Sequence, residues 1–227
     1  MIQSKNAEAN TVSAVGQIDV NKFVTIFKRG GTKKVLFFGN SITRHEPNEN
    51  IGWMGDWGMA ASSKENDYVH LVVKELDQKF GKVDYCIAQG AMWEWEYKTS
   101  DAVMNEYYSA AKSFDADIII IRIGENITAQ KHLEVNCKPH FAKAVDFLVG
   151  KNAKKVIITD MFWYAIYNDC FKEVCEEKGY TFCHLTDLEN DERTMAKGLF
   201  EHQGVASHPG DYGMQCIAKR ILEKIFE

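Results

Sequence analysis

Five short, strongly apolar runs punctuate the sequence: VLFF (35–38), VDYCIA (83–88), DIIIIRI (117–123), KVIIT (155–159) and TFCHL (181–185). Between them lie segments whose apolar residues recur at helical spacing. Val69, Val72, Val73, Leu76 and Phe80 make one stripe; Val103, Tyr107, Ala111 and Phe114 a second; Phe141, Ala144, Val145 and Leu148 a third. Further helical segments are predicted at 166–178 and 211–226, the last carrying Ile217, Ile221, Leu222 and Ile225. Strands this apolar cannot leave one face in water, and alternation with helices supplies the crossovers that parallel strands need. The predicted fold is therefore α/β: a three-layer α/β/α sandwich with about five parallel strands. At 227 residues and 45% hydrophobic, the chain can bury one sizeable core, which assigns 34–227 to one domain. Residues 1–33 form a lead-in segment, in which Val20, Phe23, Ile26 and Phe27 share a face and predict one short helix.

A net charge of −5 with scattered Lys and Arg offers no basic stripe for a phosphate backbone, so nucleic acid is not expected as a partner. Six cysteines without a CxxC pair read as small buried hydrophobes in a reducing compartment. With neither a signal-peptide pattern nor an apolar span of membrane length, a soluble, cytoplasmic protein without membrane association is expected. Nothing in the sequence sets an oligomeric state.

Open parallel sheets bind ligands beyond the carboxyl ends of their strands, so the residues after each run carry the functional information. They are Gly39-Asn40-Ser41, Gln89-Gly90, Gly124-Glu125-Asn126 and Asp160-Met161-Phe162-Trp163. All five tryptophans, Trp53, Trp57, Trp93, Trp95 and Trp163, also fall downstream of a strand end, and are expected to form an aromatic rim suited to a sugar ring.

Ser41 leaves a buried strand as a candidate nucleophile, which needs a base within hydrogen-bond reach and donors for the oxyanion formed on attack. The Ser41 and Gly90 N–H groups and the Asn126 amide are the candidate donors. Among the seven histidines, His70, His140 and His184 sit in predicted helices or a strand, and His132 and His202 in polar segments. His45 follows Ser41 closely and is expected to line the pocket. His208, before a proline at the mouth of the last helix, is the candidate base.

Taken in order, GNSIT after one strand, Gly90 after the next, GENI after the third and HPGDYGM near the C-terminus resemble the SGNH (GDSL-type) hydrolase superfamily. The resemblance implies a flavodoxin-like fold and ester hydrolysis through an acyl-enzyme, without a cofactor or metal. It places Ser41 as nucleophile, Gly90 and Asn126 in the oxyanion hole and His208 as general base. The sequence departs from the family pattern at Asn40, where an aspartate is usual, at Ile127, which replaces the acid after the asparagine, and at Val205, which occupies the usual triad-acid position. Asp211 suits the N-cap of the last helix better than a triad, Glu201 could fold back, and a backbone carbonyl could hold the imidazole instead. A Ser41-His208 dyad is the favoured reading. The expected substrate is a small acyl ester, with acetylated carbohydrate as the leading class. The alternatives are a non-catalytic carbohydrate-binding protein and a lipid esterase, lysophospholipase or thioesterase.

Overall fold

The computed structural model describes residues 22–227. Its centre is a six-stranded sheet of β1 (Val24–Phe27), β2 (Lys33–Gly39), β3 (Val83–Gln89), β4 (Ile118–Arg122), β5 (Lys155–Thr159) and β6 (Thr181–Cys183), ordered β1-β3-β2-β4-β5-β6. Five strands are parallel, and β1 runs antiparallel to β3 at the edge. Without β1, the order is that of a flavodoxin-like sheet, with its switch point beside β2.

The helices are α1 (Tyr68–Phe80), α2 (Ala91–Glu96), α3 (Ser100–Tyr107), α4 (Ser109–Phe114), α5 (Ala129–Glu134), α6 (Lys138–Leu148), α7 (Asn168–Glu177), α8 (Gln203–Ala206) and α9 (Asp211–Phe226). Period-two alternation along β2 sorts them into two layers. Leu36 and Phe38 face a core that includes Trp93, Tyr108, Phe141 and Phe171 of α2, α4's preceding turn, α6 and α7. Val35 and Phe37 face the opposite core, where Tyr68 and Val72 of α1 meet Ile217 and Ile221 of α9. Among the described residues no helix is long and apolar enough to cross a membrane.

The lead-in helix is corrected in its described part: Val24–Phe27 is a strand, while Val20 lies outside the described residues. The β-branched run Val24-Thr25-Ile26 suits a pleat, and β3 offers an unpaired edge. Val24 aligns with Ala88, Phe27 stacks on Tyr85 with ring centroids 4.4 Å apart, and the Phe23 carbonyl accepts the Gln89 N–H. Tertiary pairing overrides a helical spacing that rests on few residues.

Register decides what happens at the carboxyl edge. Gly39 aligns with Gln89 on one side and Arg122 on the other. The chains leaving β2, β3 and β4 therefore emerge at one level, bringing Ser41, the start of α2 and the 124–126 loop together.

Candidate active site

Beyond Gly39 the chain turns sharply, with the N–H groups of Thr43 and Arg44 both donating to the Asn40 carbonyl and the Met59 N–H donating to that of Ser41. This fixes the backbone of Ser41 and leaves its side chain at the sheet edge. His208 approaches from the far end of the sequence. Its N–H donates to the Val205 carbonyl, and its own carbonyl accepts the Ala196 N–H. The two side chains meet: Ser41 Oγ lies 2.8 Å from His208 Nε2.

On the other side of the ring, His208 Nδ1 lies 2.6 Å from the Gly204 carbonyl oxygen. A carbonyl can only accept, so Nδ1 carries the proton and Nε2 is free to accept from the serine hydroxyl. The backbone of α8 thus fills the position in which a triad would hold a carboxylate. Val205, although it sits where that acid is expected, points into an apolar cluster with Trp53, Met59, Ala60 and Ala196. Asp211 is engaged elsewhere, accepting from Ser62 N–H (2.7 Å), Ser62 Oγ (2.6 Å) and Asn66 Nδ2 (3.2 Å). Nor is it the cap of α9, since Gly210 takes that place and Asp211 is the first helical residue. Glu201 is exposed. Burial holds the His208 imidazole neutral, pushing its pKa from 6.5 down to about 4.

Beneath the dyad lies a buried polar cluster that connects the three strand ends. Arg122, fully buried, donates to Glu125 through Nη1 (2.5 Å) and Nη2 (3.2 Å), and through Nη2 to Asn40 Oδ1. The Asn40 amide in turn donates to Glu125 Oε2 (2.6 Å) and Glu94 Oε1 (2.9 Å). Glu94, on α2, also accepts the Gly124 N–H (2.6 Å) and the Asn126 N–H (3.3 Å) on Oε1, and Asn126 Nδ2 on Oε2 (2.5 Å). The two carboxyls titrate apart. Burial and the charge of Glu125 push Glu94 up to about 7, whereas at Glu125 the adjacent Arg122 guanidinium outweighs burial and holds the carboxyl below its ordinary value.

The expected oxyanion donors fare differently. The Gly90 N–H donates to the Gly39 carbonyl at 2.6 Å, so it is committed to the sheet end. Glycine at 90 also leaves room for its neighbours, because a Cβ there would lie 2.4 Å from Ile123 Cδ1 and 2.9 Å from Phe38 Cζ and those side chains would have to shift. The Ser41 N–H donates to no described residue. Asn126 has given one amide hydrogen to Glu94 and keeps the other. The loop that presents it turns through Gly124 at φ +137°, a conformation that disfavours any side chain.

The tryptophans do not share one rim. Trp93 is fully buried, packs on Phe141 and donates its indole N–H to Ser100 Oγ (2.9 Å). Trp95 lies half-buried against the same core, with the Lys131 ammonium over its ring. Both belong to α2, a helix too short to leave a periodic signal, and the contacts of their rings are with α3, α5 and α6. Trp163 stays at the site and meets the His208 ring edge-on, with centroids 5.2 Å apart. His45 is buried and near enough for its charge to depress the His208 pKa. Its strand-like bridge to Trp57, and the Trp53 indole N–H donating to its carbonyl (3.1 Å), place those two rings behind it.

Arg122, Glu94 and Glu125 are missing from the set chosen from the sequence. An arginine inside the run IIIIRI was the available signal: a buried guanidinium requires acidic partners nearby. The Gly204 carbonyl, being backbone, left none.

No protein-family model matches the sequence, and no curated protein matches it significantly. Solved structures do match the fold. LAE5, an α/β hydrolase enzyme from the metagenome of Lake Arreo, Spain, is similar with a TM-score of 0.55 at 18% identity, over 86% of this chain and 95% of its own. Axe2, an acetylxylan esterase from Geobacillus stearothermophilus, is similar at 0.52 and 17%, over 86% and 94%. A protein assigned to the lipolytic G-D-S-L family from Desulfitobacterium hafniense DCB-2 is similar at 0.52 and 14%, over 85% and 99%. The chain has the α/β fold of these hydrolases.

Proposed function

We propose that this protein is a serine ester hydrolase that releases small acyl groups, acetyl above all, from carbohydrate esters through an acyl-enzyme. The observation that carries the reading is the Ser41 Oγ to His208 Nε2 contact of 2.8 Å, with the opposite ring nitrogen fixed by the Gly204 carbonyl. In this mechanism Ser41 Oγ attacks the ester carbonyl while Nε2 takes its proton. The oxyanion is met by the Ser41 N–H and the second amide hydrogen of Asn126. The imidazolium then protonates the departing alkoxide, and water, activated by the same nitrogen, attacks the acyl-enzyme and regenerates the hydroxyl. No step needs a cofactor.

Carbohydrate as the alcohol portion is supported by the fold shared with an acetylxylan esterase. A fluorophosphonate probe should label Ser41, located by peptide mass spectrometry, and Ser41→Ala should abolish labelling. Ser41→Ala and His208→Ala should each cost a similar large factor in kcat, with the double variant little worse. Wild-type turnover of every ester by Ser41→Ala would overturn the reading. Equal kcat/KM for acetylated xylosides and long-chain lipid esters would overturn the substrate class alone.

A further inference from the structure

Away from the dyad, three side chains from three segments converge: His132 on α5, Cys137 at the N-cap of α6 and Cys170 in the first turn of α7. Their candidate ligand atoms all lie within 4.8 Å of one another. Around a tetrahedral zinc ion, with Zn–S about 2.3 Å and Zn–N about 2.0–2.1 Å, neighbouring ligand atoms sit roughly 3.5–3.8 Å apart. The observed cluster therefore needs only small side-chain rotations to close on an ion. We propose that His132, Cys137 and Cys170 form a binding site for a soft divalent transition metal, zinc by preference, with one imidazole and two thiolates as protein ligands and a fourth position left for water.

The donor set favours such an ion, because thiolate and imidazole suit zinc while the hard ions calcium and magnesium require oxygen. The helices favour it too. Both sulfurs sit at the N-terminal ends of helices of 11 and 10 residues, where the backbone dipole stabilises a thiolate. The imidazole ring is held by packing against Tyr167 with centroids 5.2 Å apart, and a metal would displace the long hydrogen bond, 3.4 Å, that Nδ1 now accepts from the Cys137 N–H. Tyr167 is itself tied down through its hydroxyl, which donates to the Ile127 carbonyl. Without metal, burial keeps both thiols protonated. Binding therefore exchanges two S–H bonds for two S–metal bonds and releases two protons to solvent, with no change of oxidation state. A sequence scan for CxxC motifs misses this site because its ligands are 5 and 33 residues apart (132 to 137, 137 to 170).

The test is anaerobic titration of the full chain, reduced and stripped with a chelator, with Co²⁺ and then Zn²⁺. One equivalent of Co²⁺ should bring thiolate-to-cobalt charge-transfer absorption and the intense visible bands of a tetrahedral centre, and Zn²⁺ should abolish both. A pH-stat should record two protons released per metal. His132→Gln and Cys170→Ser should each weaken Co²⁺ binding by more than the roughly 10–100-fold that loss of an outer hydrogen-bond partner costs. Cys137→Ser should do the same. Because Cys137 is fully buried, the other two variants carry the test if this one does not fold, as judged by circular dichroism. The proposal is overturned if reduced wild type shows no stoichiometric tetrahedral spectrum, or if the spectrum survives His132→Gln and Cys170→Ser. It is equally overturned if Cys137 and Cys170 prove to be disulfide-linked under reducing conditions.

Discussion

Glu94→Gln tests whether the buried cluster positions the amide assigned to the oxyanion. The change keeps shape and volume but replaces one oxygen with a donor. Glu94 accepts Asn126 Nδ2 on one oxygen and Gly124 N–H, Asn40 Nδ2 and Asn126 N–H on the other, so either orientation of a glutamine sets its NH₂ against at least one existing donor. A hydrogen bond to a charged group is worth about 1.5–3 kcal/mol. At about 1.4 kcal/mol per factor of ten, transferring that loss to the transition state lowers kcat by roughly 10- to 150-fold. Outright removal of an oxyanion donor costs about 10²–10³, so Asn126→Ala should be the more severe change. Initial rates on an aryl acetate should be measured at pH 8, above the value of about 7 at which Glu94 titrates, with circular dichroism to verify folding. The expected result is a fall in kcat with KM within about twofold, and a Glu94→Gln/Asn126→Ala double variant no slower than Asn126→Ala alone. Unchanged kcat in Glu94→Gln, or full additivity in the double variant, would refute the positioning role.

The remaining predictions concern the base and the apolar residues around it. Since burial lowers the His208 pKa from 6.5 to about 4, the acid limb of kcat/KM in Glu94→Gln, which lacks the carboxyl that titrates near 7, should fall well below 6.5, toward 4; a limb at 6.5 in that variant would contradict the buried neutral imidazole. The same shift means that the unfolded chain binds the proton first, so folding stability contributed by His208 should decline as pH falls from 6.5 toward 4, measurable by urea melts. Val205→Asp should not restore a triad but should destabilise the fold by about 3–5 kcal/mol, because it leaves a carboxylate unpaired among Trp53, Met59 and Ala196; a rise in kcat with unchanged Tm would refute this. Trp93→Ala and Trp163→Ala should each lower stability by about 3–5 kcal/mol in chemical denaturation, since both rings are buried in the core; an unchanged midpoint in either variant would refute this.

The parts of the fold readable from the sequence were those where one physical requirement acted alone. A strand buried on both faces must be apolar throughout, so β2 to β6 stood out, and α1, α6 and α9 followed from stripes long enough to show their period. β1 was misread because its residues fit a helix locally and a strand only once β3 supplies a partner. α2 spans six residues, fewer than two turns, and its consequence for Trp93 and Trp95 was lost with it. Within the candidate site, the meeting of Ser41 and His208 was legible because one follows a strand end and the other precedes a helix at a marked position. The role of Glu94 was not, since only the folded chain shows that α2 doubles back to bring its carboxyl under the 124–126 loop.

The carbonyl of Gly204 carries a consequence for how such a site can change over generations. Every residue has a carbonyl, so no single codon change can delete the group that orients His208, whereas a triad aspartate is lost in one step. The acceptor is also indifferent to acid, because it has no proton to gain across the range in which a carboxylate would be neutralised. What it depends on is the path of the main chain through α8. The His202 imidazole holds that path by accepting the Val205 N–H at 3.3 Å, and Val205 holds it by packing under Trp53. Drift at those two positions, remote from any bond being made or broken, is the route by which this dyad would fail.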